Sequence, residues 1–187
     1  MGFPGDLHLV DACDRPALAI TLAELTAKGR FSGLVNDAGY GIPQPLDALD
    51  AVVRDQTCEI NATSAMSCAQ ALSPGMQAQG FGRIVNIASE VVPGITKRNA
   101  DAAVNAVLLS FTRTWALELA DQGITVNSVS PCPVDTDFFA SNNPLGSAIR
   151  QSKVDRTPRG RTGRPAYVAK AAGFFMQPGP KLLFVAL

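Results

Sequence analysis

Residues 82–136 read GRIVNIASEVVPGITKRNADAAVNAVLLSFTRTWALELADQGITVNSVSPCPVDT, and this stretch decides the fold. Two short runs rich in β-branched residues, IVNIA at 84–88 and ITVNSVS at 124–130, are bounded by Gly or Ser. That is the pattern of strands buried in a parallel sheet. Between them Asp101 to Ala120 is helical in composition and apolar on nearly every side. A helix without a wide polar face is buried on two sides, so one side is expected to cover a sheet and the other a partner or second layer. Strand, helix and strand make one crossover, right-handed by default. The expected architecture is α/β.

The rest of the chain narrows the class. At 187 residues it suffices for one domain with its own core, and a single domain over 1–187 is expected. Sixteen Lys and Arg balance sixteen Asp and Glu, which argues against an electrostatic nucleic-acid or membrane binder. Cys13, Cys58, Cys68 and Cys132 show no C-x-x-C spacing and have only His8 for company. No metal site is expected, and the cysteines read as buried free thiols of a reducing compartment. The start, MGFPGD, carries no signal segment, and Asp6 stands where a myristoylation site after Gly2 would need Ser or Thr. With no run of membrane-spanning length, a cytoplasmic location is the expectation.

Several motifs in the deciding stretch resemble the short-chain dehydrogenase/reductase family. RIVNIAS (83–89) matches the family strand that ends in a catalytic serine, here Ser89. FTRTWALELADQGITVNSVSP (111–131) matches the helix and strand that follow. The resemblance implies a Rossmann-like, doubly wound parallel sheet, NAD or NADP as cofactor, and carbonyl–alcohol interconversion of a small molecule. On that helix the family carries a Tyr-x-x-x-Lys pair. Those two positions hold Asp101 and Asn105 here.

Upstream, LHLV (7–10) reads as a short strand, and the family places at Asp11 an aspartate bordering the adenine, with Ala12 beside it. Asp14 followed by Pro16 and ALAITLAEL also reads as a simple helix cap, and the two readings coexist. In the family the first strand, a Gly-x-x-x-Gly-x-Gly turn and the second strand precede this point. Only ten residues precede Asp11 here, and GFPG is not that turn. The turn lets backbone N–H groups approach a pyrophosphate at a helix N-terminus. A chain missing this first βαβ unit is therefore expected to lack the main anion anchor and to bare a sheet edge.

FSGLVNDAG (31–39) resembles the family's Asn-Asn-Ala-Gly element, with Asn36, Ala38 and Gly39 matching and Asp37 departing. The element is expected chiefly to brace the central strand and secondarily to wall the cofactor site, with Tyr40 overhanging it. Leu46 to Gln79 reads as one long helical stretch, with Pro74 marking a break or late turn. Asn61 falls where the family holds a water beside its lysine; bonding to the local backbone is the alternative. Downstream, Pro131, Val134 and Thr136 match positions that meet the nicotinamide amide, while Cys132 replaces a glycine. Residues 137–165 resemble the family's lid. Their Lys153, Arg156, Arg159, Arg161 and Arg164 read either as a solvated face or as a phosphate clamp. GRTGRP (160–165) opens a last helix, and PGPKLLFVAL (178–187) suggests a final apolar strand.

The implied chemistry is incomplete. The family's tyrosine, with an unperturbed pKa of ~10, is lowered by a lysine one turn away. The serine holds the substrate oxygen while the cofactor carries the hydride. A carboxyl at position 101, with a reference pKa of ~3.9, is proton-free near neutrality unless burial raises it. Asn105 brings no charge. Three readings follow: an impaired oxidoreductase, a non-enzymatic remnant, or a chain completed by a partner's front unit. The remnant would self-associate through the helices over Leu46–Leu72 and Ala102–Ala120, which build the subunit interface in the family. Ser89 and Asn61 are the expected catalytic positions that survive.

Overall fold

The computed structural model describes residues 5–179. Three parallel strands form one sheet in the order β1 (Gly33–Asn36), β2 (Gly82–Ile87), β3 (Ile124–Val129). Ile84 of β2 lies opposite Leu34 of β1 and Val126 of β3. Five of the six β2 residues are buried, as a central parallel strand covered on both faces requires. One face meets α3 (Ser64–Gln79) and α4 (Asn99–Leu119), where Met76, Leu72, Leu119, Ile84, Ile124 and Val126 make the main core. The other face meets α7 (Pro165–Met176): Nε of Arg83 donates to the Gln177 carbonyl at 3.3 Å, just past the end of that helix. Helices on both faces make the sheet doubly wound, the architecture the resemblance implied.

The helix starts follow local chemistry. Helix α1 (Arg15–Lys28) is capped by Asp14, whose Oδ1 accepts from the Ala17 amide at 3.0 Å, with Pro16 in the first turn. The stretch 46–79 is not one helix. Asp50 starts α2 (Ala51–Cys58) by accepting from the amides of Val52 and Val53, and a π-helical turn (Glu59–Thr63) joins α2 to α3. Nor does Pro74 break α3, which continues to Gln79 and ends on Gly80 in the left-handed conformation. An exposed proline ten residues into an otherwise packed helix removes one N–H bond, and burial of Leu72 and Met76 on either side of it holds the helix together.

Two other expectations are corrected. Residues 7–10 form no strand; Leu7 and Leu9 are exposed, and no strand among the described residues lies beside them to complete a ladder. Cys13, Cys58 and Cys132 are exposed and Cys68 is half-buried, so the thiols are free but not core residues. They sit on outward helix faces and surface loops. Of the stretch 178–187 read as a final strand, residues 180–187 lie outside the described residues. Among the described residues β1 pairs with β2 alone, and its Val35 is 41% exposed.

Polar groups also hold the layers. Asn86 of β2 is fully buried; its Oδ1 accepts from Asn36 Nδ2 at 2.8 Å, and its own Nδ2 donates to Thr112 Oγ1 at 2.9 Å. Thr112 in turn donates to the Leu108 carbonyl at 2.7 Å. The chain of bonds ties β1, β2 and α4 together. At the opposite end of β2, Gly123 has φ +77°, and a Cβ there would lie 2.1 Å from the Gly80 carbonyl oxygen. Only glycine fits the turn into β3.

Replacing Asn86 by Ala removes two buried hydrogen bonds and leaves Asn36 and Thr112 with partners missing. A loss of about 2–3 kcal/mol is expected, read as a lower urea midpoint with unchanged slope. A loss below about 0.5 kcal/mol, the usual scatter of surface changes, would show that the relay does not couple the layers.

Candidate active site

Parallel strands deliver their C-terminal ends to one rim of the sheet, and loops leaving that rim line the cavities. After β1 come Asp37 to Tyr40, after β2 come Ala88 to Val91, and after β3 come Pro131 to Thr136. The start of α4 closes one side with Arg98, Asp101 and Asn105, and α6 (Ala148–Arg156) adds Lys153. The cavity they line is open to solvent on one side and measures about 220 Å³. A second, more apolar groove of about 730 Å³ runs from the same rim to α7, lined by Val35, Ile87, Val134, Phe138, Val168 and Met176 among others.

Ser89 is half-buried at the β2 end, and its Oγ accepts from the Val91 amide at 3.3 Å. Asn61 is buried in the π-turn, and its Oδ1 accepts from the Tyr40 amide at 2.8 Å. This bond spans 21 residues of chain and pins the loop after β1 to the helical layer. The alternative reading, a bond to local backbone, gives way at Oδ1 to a tertiary one. A π-turn shifts the register of a helix by one residue, which aims Asn61 at that loop.

Asp101 is fully engaged. Its Oδ2 accepts from Nη1 of Arg98 at 3.0 Å and its Oδ1 from Nδ2 of Asn105 at 3.1 Å. Asn105 also donates to the Asp101 carbonyl at 2.8 Å. Arg98 is 8% exposed and Asp101 half-buried, so this ion pair is partly withdrawn from water. Lys153 lies across the cavity, its Nζ 5.7 Å from the centre of the Phe139 ring. Burial, and then the charge of Arg98, pull its pKa down from the ordinary lysine value. Burial pushes the Asp37 carboxyl up. Burial and the neighbouring Glu90 push the Cys132 thiol up, which keeps it protonated and poorly nucleophilic. No cluster of metal-ligating side chains occurs among the described residues.

The sequence model of the family described as Enoyl-(Acyl carrier protein) reductase matches residues 3–183. The chain belongs to the short-chain dehydrogenase/reductase family. It is 33% identical to the 2,3-dihydroxy-2,3-dihydro-p-cumate dehydrogenase of Pseudomonas putida, over 92% of this chain and 67% of that one. With Nodulation protein G of Azospirillum brasilense it shares 31% identity, over 93% and 70% of the two chains. Among solved structures it resembles a gluconate 5-dehydrogenase from Burkholderia cenocepacia in complex with NADP and tartrate. There the TM-score is 0.82 at 26% identity, covering 89% of this chain and 66% of that one. This short-chain dehydrogenase/reductase chain thus spans about two thirds of the length of the relatives it matches.

Of the family positions expected from sequence, the fold brings Ala38, Gly39, Asn61, Ser89, Asp101, Asn105, Pro131, Val134 and Thr136 around the one cavity. Gly39, Pro131, Val134 and Thr136 also reach the apolar groove. Asp11, Ala12 and Asn36 line neither. Asp11 instead accepts from the Cys13 amide at 2.8 Å, and Asn36 is spent on Asn86. The segment expected to be a lid holds α5 (Asp137–Asn142) and α6, anchored where Arg150 pairs with Asp135 and Val134 bridges to Gly163. From its basic cluster only Lys153 lines the cavity. Sequence reasoning missed Arg98. The available signal was a cation three residues before Asp101, the spacing that sets side chains on one helix face.

Arg98→Met leaves the half-buried Asp101 without its counter-charge, and a stability loss of about 1–3 kcal/mol is expected. Adding Asp101→Leu in the same chain should recover most of it. Thermal or urea unfolding of the single and double variants reads the coupling; additive losses would mean that the two side chains do not act as a pair.

Proposed function

We propose that this chain derives from NAD(P)-dependent oxidoreductases that interconvert carbonyls and alcohols, and that its proton-transfer step is impaired. One observation carries the reading. The side chain at the tyrosine position, Asp101, is a carboxylate whose two oxygens already accept from Arg98 and Asn105. A proton donor to the substrate oxygen needs an acid within hydrogen-bond reach, and this carboxylate is an acceptor committed elsewhere. Ser89 keeps a hydroxyl able to hold a substrate oxygen, and Asn61 keeps the Tyr40 loop in position. Losing general acid catalysis costs about 10²–10⁴-fold in rate.

The residues present fit one half of a dinucleotide. The groove beside Gly39, Pro131, Val134 and Thr136 has room and apolar walls for a nicotinamide. When bound there, the cofactor would supply or accept the hydride. Pyrophosphate is another matter. No Lys or Arg lines that groove, and residues 1–187 contain no Gly-x-x-x-Gly-x-Gly turn. A partner that supplied such a unit would restore binding of NAD or NADP without restoring the acid. Asp11 and Ala12 at an adenine, and Asn36 at the cofactor wall, belong to that completed state.

Expected outcomes are a nucleotide affinity weaker than millimolar in a fluorescence titration and no ketone-dependent oxidation of NADPH. Asp101→Tyr combined with Asn105→Lys should remain nearly inactive, because the anion anchor is still lacking. Robust turnover by the unaltered protein would overturn the reading, and robust turnover by the double variant would show the Gly-rich turn to be dispensable.

A non-enzymatic, self-associating role is the second reading. It is favoured by the outward side chains Val52 and Met66 on α2 and α3 and by Val107 and Leu117 on α4, the last 82% exposed. Light scattering on purified protein should give a dimer or larger, and a strict monomer up to about 100 μM, a concentration that would fill a micromolar dimer (Kd ~1 μM is about 8 kcal/mol), would remove it.

A further inference from the structure

Among the described residues every cavity cation but one has an acid within ion-pair distance. Arg98 is paired with Asp101; Lys153 has no carboxylate within 4 Å. An ammonium drawn half out of water is costly unless something negative meets it. Lys153 faces the cavity beside the Phe139 ring, and the carboxylates that act on it, Glu90 and Asp101, do so from beyond ion-pair distance. Arg98 points the same way. Nη1 is used by Asp101, and no other hydrogen bond from this 8%-exposed guanidinium occurs among the described residues. Its remaining N–H groups form a fixed fork suited to a planar anion. The acids on the wall do not cancel this arrangement. Asp101 is already neutralised, Glu90 stands exposed to water, and Asp37 sits on the far loop after β1.

We propose that the cavity binds a small hydroxy- or oxo-acid, its carboxylate held between Lys153 and the free face of Arg98 and its hydroxyl or carbonyl oxygen turned to Ser89. The proposal rests on reading this cavity as the substrate site. Its volume of about 220 Å³ is below the usual range for drug-sized ligands, about 300–1,000 Å³. A compact acid of a few heavy atoms suits that space better than a drug-sized ligand. Two charge-assisted bonds to one carboxylate give orientation as well as affinity. The site would therefore discriminate an acid from its neutral amide by charge alone.

The test uses 2-hydroxybutyrate and its amide, 2-hydroxybutyramide, titrated into the full chain without nucleotide and followed by amide-resolved NMR. The acid is expected to bind with shifts at Ser89, Arg98 and Lys153, and the amide about tenfold or more weaker, the worth of a charge-assisted bond. Lys153→Gln should lose about the same factor, while Lys153→Arg keeps affinity within about threefold. Preserved spectra for the variants show that each still folds. Equal binding of acid and amide, unweakened binding to Lys153→Gln, or no binding of the acid by the unaltered chain would each overturn the proposal. Because the readout needs neither cofactor nor turnover, NADPH oxidation by the unaltered protein would sink the impaired-enzyme reading and leave this result standing.

Discussion

The relay from Asn36 through Asn86 to Thr112 is the constraint on which the site depends. Each member sits on a different element, and Asn86 is wholly out of water. Buried amides left unpaired cost more than their bonds return, so the three elements can pack only in the register that satisfies all of them. That register fixes where β1 and β2 end and where α4 begins. The loops that follow inherit the placement. Ser89 lies three residues beyond Asn86, and Asn105 lies two helical turns before Thr112. A polar core relay thus sets the distances of the cavity above it.

Within that frame Asp101 ties the start of α4 to Arg98. Its two oxygens accept from Arg98 and Asn105. The pair lies at the start of α4, where a negative side chain is also favoured by the helix dipole. Fold-level kinship does not hang on this residue, because the relay, the core and the crossovers do not pass through it.

Much of the frame was legible from residue pattern. The runs 84–88 and 124–130 and the apolar helix between them declare buried parallel strands and a crossover, because period and composition agree there. Asp14 and Pro16 announce α1 for a local reason that needs no tertiary context. The division of 46–79 was less legible. Its apolar spacing runs across the π-turn, and only Asp50 betrays a start within it. Asn61 was legible as an oddity but not in its partner, since Tyr40 meets it only once the chain has folded. Arg98 escaped notice because a surface-seeking residue type becomes buried here, an outcome decided by packing. LHLV misled for the opposite reason: alternation makes a strand only when a neighbour offers hydrogen bonds.

The short length of β1 carries a consequence of its own. With β2 on one side and no strand on the other among the described residues, Gly33–Asn36 turns alternate N–H and C=O groups toward solvent. Such a rim is a template on which a foreign extended segment can grow. Four residues offer only a rung or two of ladder, and Asn36 spends its side chain inward. Brevity is the safeguard here, since an intruding strand would be gripped too weakly to stay.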